Sequence, residues 1–539
     1  MKMRLNFYLF FFLLSFQLFA QEVPRPKLVV GLVVDQMRWD YLYRYYDRYS
    51  NGGFKRLLRE GFSCENAFIP YTPSHTGAGH ASIFTGSVPA LNGLMGNNWY
   101  DKQLKRVVYC TEDISVQTVG SPSVAGKMSP KNLWSNTITD ELRLATNFKN
   151  KTIAIALKDR GSILPGGHSS NGTYWFDNAT GGWISSSFYM KELPQWVKKV
   201  NDKKWAEQYL KQGWNTLYPI NTYTQSSVDS NAYEGKVPSE DLSFPHQLSQ
   251  VKVNPYESFR YTPGGTTLTF DMAKAAIEGE QLGARNITDF LTVSFSSPDY
   301  IGHAFGPNSI EIEDAYLRLD LELADFLTYL DKTIGKNKYL LFLTADHGAA
   351  HNPFFLRDNK LPGGSFEHTA VRKQLNDSLI SVFHTRNIVA QFINYQVYLD
   401  DSVIRQAGLN KQLIKQYISE FLIKYPGVSN VIDLSNLANI TLNEKLKTRL
   451  TNGYNHKLSG DIQVIYQPQW SEGWRTGTTH GQWNPYDTHI PLLWFGWKIK
   501  KGSTNREVQM TDIAATLAGM LHIQMPNACV GEFIDELKF

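Results

Sequence analysis

Five apolar runs in this 539-residue chain are continuous rather than alternating. They are KLVVGLVVD (27–35), KTIAIALKDR (151–160), DFLTVSFSSPD (289–299), KYLLFLTADHG (338–348) and HIPLLWFG (489–496). A strand that is apolar on both faces needs cover on both, which is the situation of buried parallel strands. Helical patterns lie between the runs. Within 309–332, Ile312, Tyr316, Leu319, Leu323, Phe326 and Leu330 repeat at three-four spacing. Strands alternating with helices predict an α/β/α sandwich around a mostly parallel central sheet.

Two stretches interrupt this rhythm. Residues 165–262 are rich in Gly, Ser, Asn, Trp and Tyr, and TYWFDNATGGWISSSFY (173–189) reads as a hairpin around Asn178–Gly182. Residues 352–475 mix helical pieces with turns. Both are expected to be cap insertions beside the site, on a core of about 21–164, 263–351 and 476–539.

The first 20 residues read as an address. Lys2 and Arg4 precede an apolar stretch to about Leu14, a polar break follows, and Ala20 offers a small residue for cleavage. A periplasmic or secreted location is expected, with no membrane span in the mature chain. Removing this leader takes away Lys2 and Arg4 but no acid, so the formal charge falls from +4 to +2. A near-neutral chain without a basic run has no electrostatic footprint for nucleic acid. Three cysteines are too few for a disulfide scaffold, although a Cys64–Cys529 bridge is conceivable in an oxidising compartment.

Chemistry collects where the strands end, as ligands do in open α/β sheets. Asp35 closes the first run, Asp299 another with His303 four residues on, and Asp346–His347 a third. Each alone could be an ordinary turn cap. Together they supply the carboxylate and imidazole donors of a two-metal hydrolase. One more histidine is needed: His480 stands before the last strand, and His489 competes but sits at that strand's start, where it more naturally buttresses the loop. Lys158 and Arg160 follow the second run and suit a doubly charged phosphoryl group, Arg by forked contact and Lys as a point charge. Asn97 in GNNWYD could add an amide donor. The loop PYTPSHTGAGH (70–80) holds Ser74, His75 and Thr76 before a helix whose N–H groups could face phosphate oxygens, with Gly77 and Gly79 admitting the substrate.

The set VVDQMRWD, PSHTGAGHASIFTG, GNNWYD, LKDR, SSPDYIGHAFGPNSIE, TADHGA and TTHGQWNPYDTHIPLLWFG resembles the alkaline phosphatase superfamily. It is most similar to the threonine-nucleophile, phosphate-irrepressible bacterial alkaline phosphatases. The resemblance runs from about residue 24 to the C-terminus and is weakest in the two insertions. It implies an alkaline-phosphatase-like fold and a zinc bound by Asp299, His303 and His480. A second zinc would be bound by Asp35, Asp346, His347 and the Thr76 oxygen. It further implies that Thr76 forms a phosphothreonine, that Asn97, Lys158 and Arg160 contact the phosphoryl group, and that small phosphate monoesters are the substrates. Thr76 opens the T-x-x-G-H segment of this pattern; Ser74 and His75 fall outside it, and His80, one turn on, reads as a packed or hydrogen-bonded helix residue rather than a base. A monomer is expected. A phosphodiesterase or nucleotide pyrophosphatase would share the metals and nucleophile but would place an apolar pocket where Lys158 and Arg160 stand. A sulfatase would need a Cys or Ser in C/S-x-P-x-R, whereas this chain has Thr76-Gly77-Ala78. A carbohydrate- or surface-binding protein, suggested by the aromatic insertion, would leave six metal-ligand candidates idle.

Overall fold

The structure is a computed structural model describing residues 23–235, 243–473 and 475–537. The expected leader, residues 1–20, lies outside them. Nine strands of the large sheet frame the site: β1 (Leu28–Val34), β2 (Phe62–Phe68), β3 (Thr152–Ala156), β4 (Gly172–Asp177), β5 (Gly182–Ser186), β6 (Asp289–Phe295), β7 (Tyr339–Thr344), β8 (Leu492–Gly496) and β9 (Gly502–Gln509). Five helices of the core are α1 (Thr76–Thr85), α2 (Asp159–Gly166), α3 (Pro263–Glu280), α4 (Ser297–Phe305) and α5 (Ile310–Leu330).

Across the sheet the order is β2-β8-β7-β1-β6-β3-β4-β5, with β9 also paired to β2. The central five, β7-β1-β6-β3-β4, are all parallel. Every residue of β1, β3, β6 and β7 is buried, which is what their unbroken apolar sequence required. α5 follows the expected register, and its Ser309 hydroxyl caps it by accepting from Ile312 N.

Two expectations change. The run 489–496 does not continue the parallel set: β8 is antiparallel to β7. Pro491, which has no N–H to donate, separates the bridge pair His489–Ile490 from β8. The hairpin in the first expected insertion extends the core sheet, because β4 pairs parallel with β3 and β5 turns back antiparallel on β4.

The second expected insertion has its own small sheet, Val389–Ile393, Gln396–Leu399, Ile462–Tyr466 and Val428–Asp433. It also has its own apolar core, including Val371, Leu375, Val397, Ile414, Ile418 and Ile462. The conceivable Cys64–Cys529 bridge is absent: all three cysteines are free, and Cys529 packs against Gly86 just beyond α1.

Candidate active site

Parallel strands present their carboxyl ends on one edge, so the residues that follow β1, β3, β6 and β7 converge there. Asp35 follows β1, Lys158 follows β3, Asp299 lies in the first turn of α4 after β6, and Asp346–His347 follow β7. One helical turn after Asp299, His303 returns to the same side, with its Nε2 3.1 Å from Asp299 Oδ1. His480 arrives from the loop before β8, its Nε2 3.7 Å from the same oxygen.

Two groups of donor atoms result, each within 4.8 Å of one another: Asp299, His303 and His480, and Asp35, Asp299 and His347. Asp299 therefore belongs to both groups rather than to one. Asp346 sits beside the second, its Oδ2 3.5 Å from His347 Nε2. The histidines are oriented alike. Each Nδ1 meets a backbone carbonyl: His303 with Thr478 O at 2.8 Å, His480 with Ser74 O at 2.8 Å, and His347 with Gly348 O at 3.0 Å. Donation there fixes the tautomer that leaves the Nε2 lone pair facing the cluster.

The charge balance asks for cations. Asp35, Asp299 and Asp346 are buried, and Lys158 is the ammonium among them, at 2.6 Å from Asp35 and 2.5 Å from Asp299. Burial, followed by the charges of Asp299 and Asp346, pushes the Asp35 carboxyl well above its ordinary range. Burial also acts to raise Asp299, but His303 and Lys158 outweigh it and hold that carboxyl well below the usual range. Burial and neighbouring His347 push His480 down, so its imidazole is neutral and able to ligate. Asp35 Oδ1 is buried without a hydrogen-bond partner, whereas Asp346 Oδ2 has His80 Nδ1 3.2 Å away. An orphaned carboxylate oxygen, inward-facing Nε2 atoms and excess negative charge all fit bound divalent metal.

Thr76 is the first residue of α1, and its Oγ1 lies 3.3 Å from His347 Nε2. Gly77 N donates to Asn97 Oδ1 at 2.7 Å, leaving the Asn97 amide N–H groups for another acceptor. One helix N-terminal donor expected for phosphate is thus used inside the protein. The glycines also differ from expectation: a side chain on Gly79 would strike the Asp346 backbone, and one on Gly77 would meet Gly96 O and Cys110 Sγ. They make room for neighbouring protein atoms, the Asp346 backbone at Gly79 and Gly96 O with Cys110 Sγ at Gly77. Arg160 donates from Nη1 to the Tyr109 hydroxyl at 3.0 Å.

The set-aside residues have structural partners. His80 is fully buried, with Nδ1 2.9 Å from Thr76 O and Nε2 2.7 Å from Ser294 Oγ. Ser74 donates to Gln482 O at 3.0 Å. His489 is a buttress, stacked between Trp39 and Phe68 with Nε2 on Glu65 O. His75 packs edge-on against His480, and burial pushes its imidazole down to about 3. Sequence reasoning missed Gln36, whose Nε2 donates to Asp299 Oδ1 at 2.6 Å and whose backbone N donates to Asp346 Oδ1 at 3.2 Å. It lies next to Asp35 in a left-handed backbone conformation at φ 66°, and nothing in its residue type announces that role.

The type I phosphodiesterase / nucleotide pyrophosphatase family matches residues 29–487, a span that includes every residue of the cluster. The chain belongs to that family. Among its relatives, this family member is 53% identical to alkaline phosphatase PhoV of Synechococcus elongatus over 96% of this chain and 94% of that one. It is 53% identical to a Myroides odoratus protein named calcium-transporting ATPase, over 97% and 96% of the two chains. It is 51% identical to alkaline phosphatase PafA of Elizabethkingia meningoseptica, over 96% and 95%. The crystal structure of PafA superposes with a TM-score of 0.92 over 95% of this chain and 99% of that one. The alkaline-phosphatase-like α/β fold is therefore shared across nearly the whole length.

Proposed function

We propose that this chain is an exported alkaline phosphatase, a hydrolase that releases inorganic phosphate from small phosphate monoesters. About half of its residues are identical to those of PhoV and PafA over nearly full length. The observation that carries the reading is the cationic pair after β3. Lys158 points into the carboxylate cluster and Arg160 stands two residues on, a provision for the extra charge and oxygen of a monoester. A diester lacks that charge, so a diesterase would gain little from two cations there, one of them the buried Lys158.

Two zinc ions are the cofactors we assign, one with Asp299, His303 and His480, the other with Asp35, Asp346, His347 and Thr76. Bound zinc lowers the pKa of a coordinated hydroxyl and neutralises charge building on oxygen. The chain's own residues supply the rest. Asn97 and Arg160 hold non-bridging oxygens, and Lys158 adds a point charge. The Thr76 hydroxyl oxygen attacks phosphorus as the ester P–O bond breaks, and the leaving alcohol departs. A phosphothreonine results. Water then attacks the same phosphorus, phosphate leaves, and the hydroxyl is restored. The terminal phosphoryl group of ATP fits the same chemistry, so ATP hydrolysis by this site needs no transport function. Among the described residues, no helix is long and apolar enough to cross a membrane.

The test compares kcat/KM for an aryl phosphate and its methyl diester on the zinc-loaded enzyme. We expect a strong monoester preference. Equal or better diester turnover would favour the phosphodiesterase reading.

A further inference from the structure

Arg160 is not a free side chain. Its Nη1 donates to the Tyr109 hydroxyl, and its guanidinium carbon lies 6.0 Å from the centre of that ring. The Tyr109 hydroxyl donates onward to Asp159 Oδ1 at 2.8 Å, while the Thr111 hydroxyl donates to Asp159 Oδ2 at 2.6 Å. Asp159 opens α2, where a negative charge is favoured by the helix dipole. Both of its oxygens are engaged, so it serves as a fixed anchor between the two cations.

The same segment holds the other phosphate-directed residue. Strands Asn98–Asp101 and Arg106–Tyr109 pair antiparallel, with Asn98 opposite Tyr109. Cys110 N donates to Asn97 O at 2.9 Å and closes the base of this hairpin. One arm therefore delivers Asn97 and the other delivers Tyr109. Arg160 Nε is buried and has no partner, so the guanidinium keeps a donor in reserve.

We propose that Tyr109, held by Asp159, is the positioning residue for Arg160, and that the hairpin base forms one rigid clamp for a terminal phosphoryl group. This rests on the phosphomonoesterase reading. A hydroxyl can accept from arginine while donating to a carboxylate; a phenyl ring can do neither. An arginine already tied at one nitrogen has fewer rotamers to lose when it engages a ligand. The clamp grips the oxygens and charge that distinguish a monoester, so loosening it must penalise monoesters selectively.

The experiment uses the zinc-loaded enzyme with Tyr109→Phe, Arg160→Ala and the double variant, assayed on an aryl monoester and its methyl diester. Inhibition by inorganic phosphate and urea unfolding are measured alongside. Tyr109→Phe should lower monoester kcat/KM and weaken phosphate inhibition by about tenfold, the scale of one hydrogen bond to a charged group. Diester turnover should change by less than about twofold. Within the Arg160→Ala background, Tyr109→Phe should have no further effect, because its action passes through Arg160. Equal losses on both substrates, or additive losses in the double variant, would overturn the proposal. Asp159→Asn provides a second route to the same loosening: an unchanged monoester-to-diester ratio there would also count against it. A wild-type enzyme that prefers diesters would instead overturn the functional reading beneath it.

Discussion

Substituting alanine at Gly79 places one methyl group where the structure has no room for it. The added carbon would lie 2.5 Å from the Asp346 carbonyl oxygen, 2.7 Å from Asp346 Cβ and 3.0 Å from the carbonyl carbon. The closest of these is about 0.9 Å short of ordinary contact. The clash is with backbone, so no side-chain rotation relieves it, and all ten residues of α1 are buried. Two effects oppose each other. Alanine raises helix propensity by about 1 kcal/mol, whereas overpacking a tight core costs about 1–3 kcal/mol. The net stability change is therefore small, at most about 2 kcal/mol of loss. Activity is the sharper readout. Relief requires α1 to move away from Asp346, carrying Thr76 away from His347, now 3.3 Å distant. A displacement near 1 Å at a reacting atom costs about a hundredfold. Gly79→Ala should accordingly lose about a hundredfold in kcat/KM on an aryl phosphate while retaining a cooperative urea transition. Activity within threefold of wild type would refute the reasoning that Gly79 exists to bring α1 against Asp346.

Further expectations address the nucleophile, the metal cluster and the acid limb of stability. Thr76→Ala should reduce turnover of an aryl phosphate by about a thousandfold or more, and Thr76→Ser should restore much of it; a substantial rate from the alanine variant would remove Thr76 from its role. Gln36→Ala takes away the donor on Asp299 Oδ1 and should weaken metal retention by about 10–100-fold in competition with a chelator. Unchanged retention would make Gln36 a bystander. At Asp140, burial acts to raise the carboxyl, but hydrogen bonds from His168 and Ser169 outweigh it and hold it below its ordinary range. That contribution is full above the unfolded value near 3.9 and is lost as pH falls through the folded value. Asp140→Ala should cost about 1 kcal/mol at neutral pH, with the gap from wild type narrowing in urea unfolding as pH falls below the unfolded carboxylate value. A gap that persists or widens there would contradict the assignment.

The sheet and the candidate ligands were legible because they obey local rules. Continuous apolar runs ending in Asp or His mark buried strands that deliver ligands to one edge, and Asp299 with His303 is an i,i+4 helical pair. What local rules cannot supply is pairing. The antiparallel sense of β8 and the extension of the sheet through β4 and β5 depend on which strand lies alongside, and sequence period says nothing of that. The backbone carbonyls that orient His303, His347 and His480 leave no trace in residue type, since every residue has one. Tyr109 reaches Asp159 across 50 positions, and Gln36 reaches Asp299 across 263. Such contacts exist only once the strands have been ordered.

The covalent route through Thr76 is tested most directly by stereochemistry at phosphorus. The zinc-loaded enzyme would transfer the phosphoryl group of a chiral, oxygen-isotope-labelled aryl phosphate to an alcohol acceptor. Two successive in-line displacements, one onto Thr76 and one off it, predict retention of configuration. Inversion would mean a single direct displacement and would contradict a phosphothreonine intermediate.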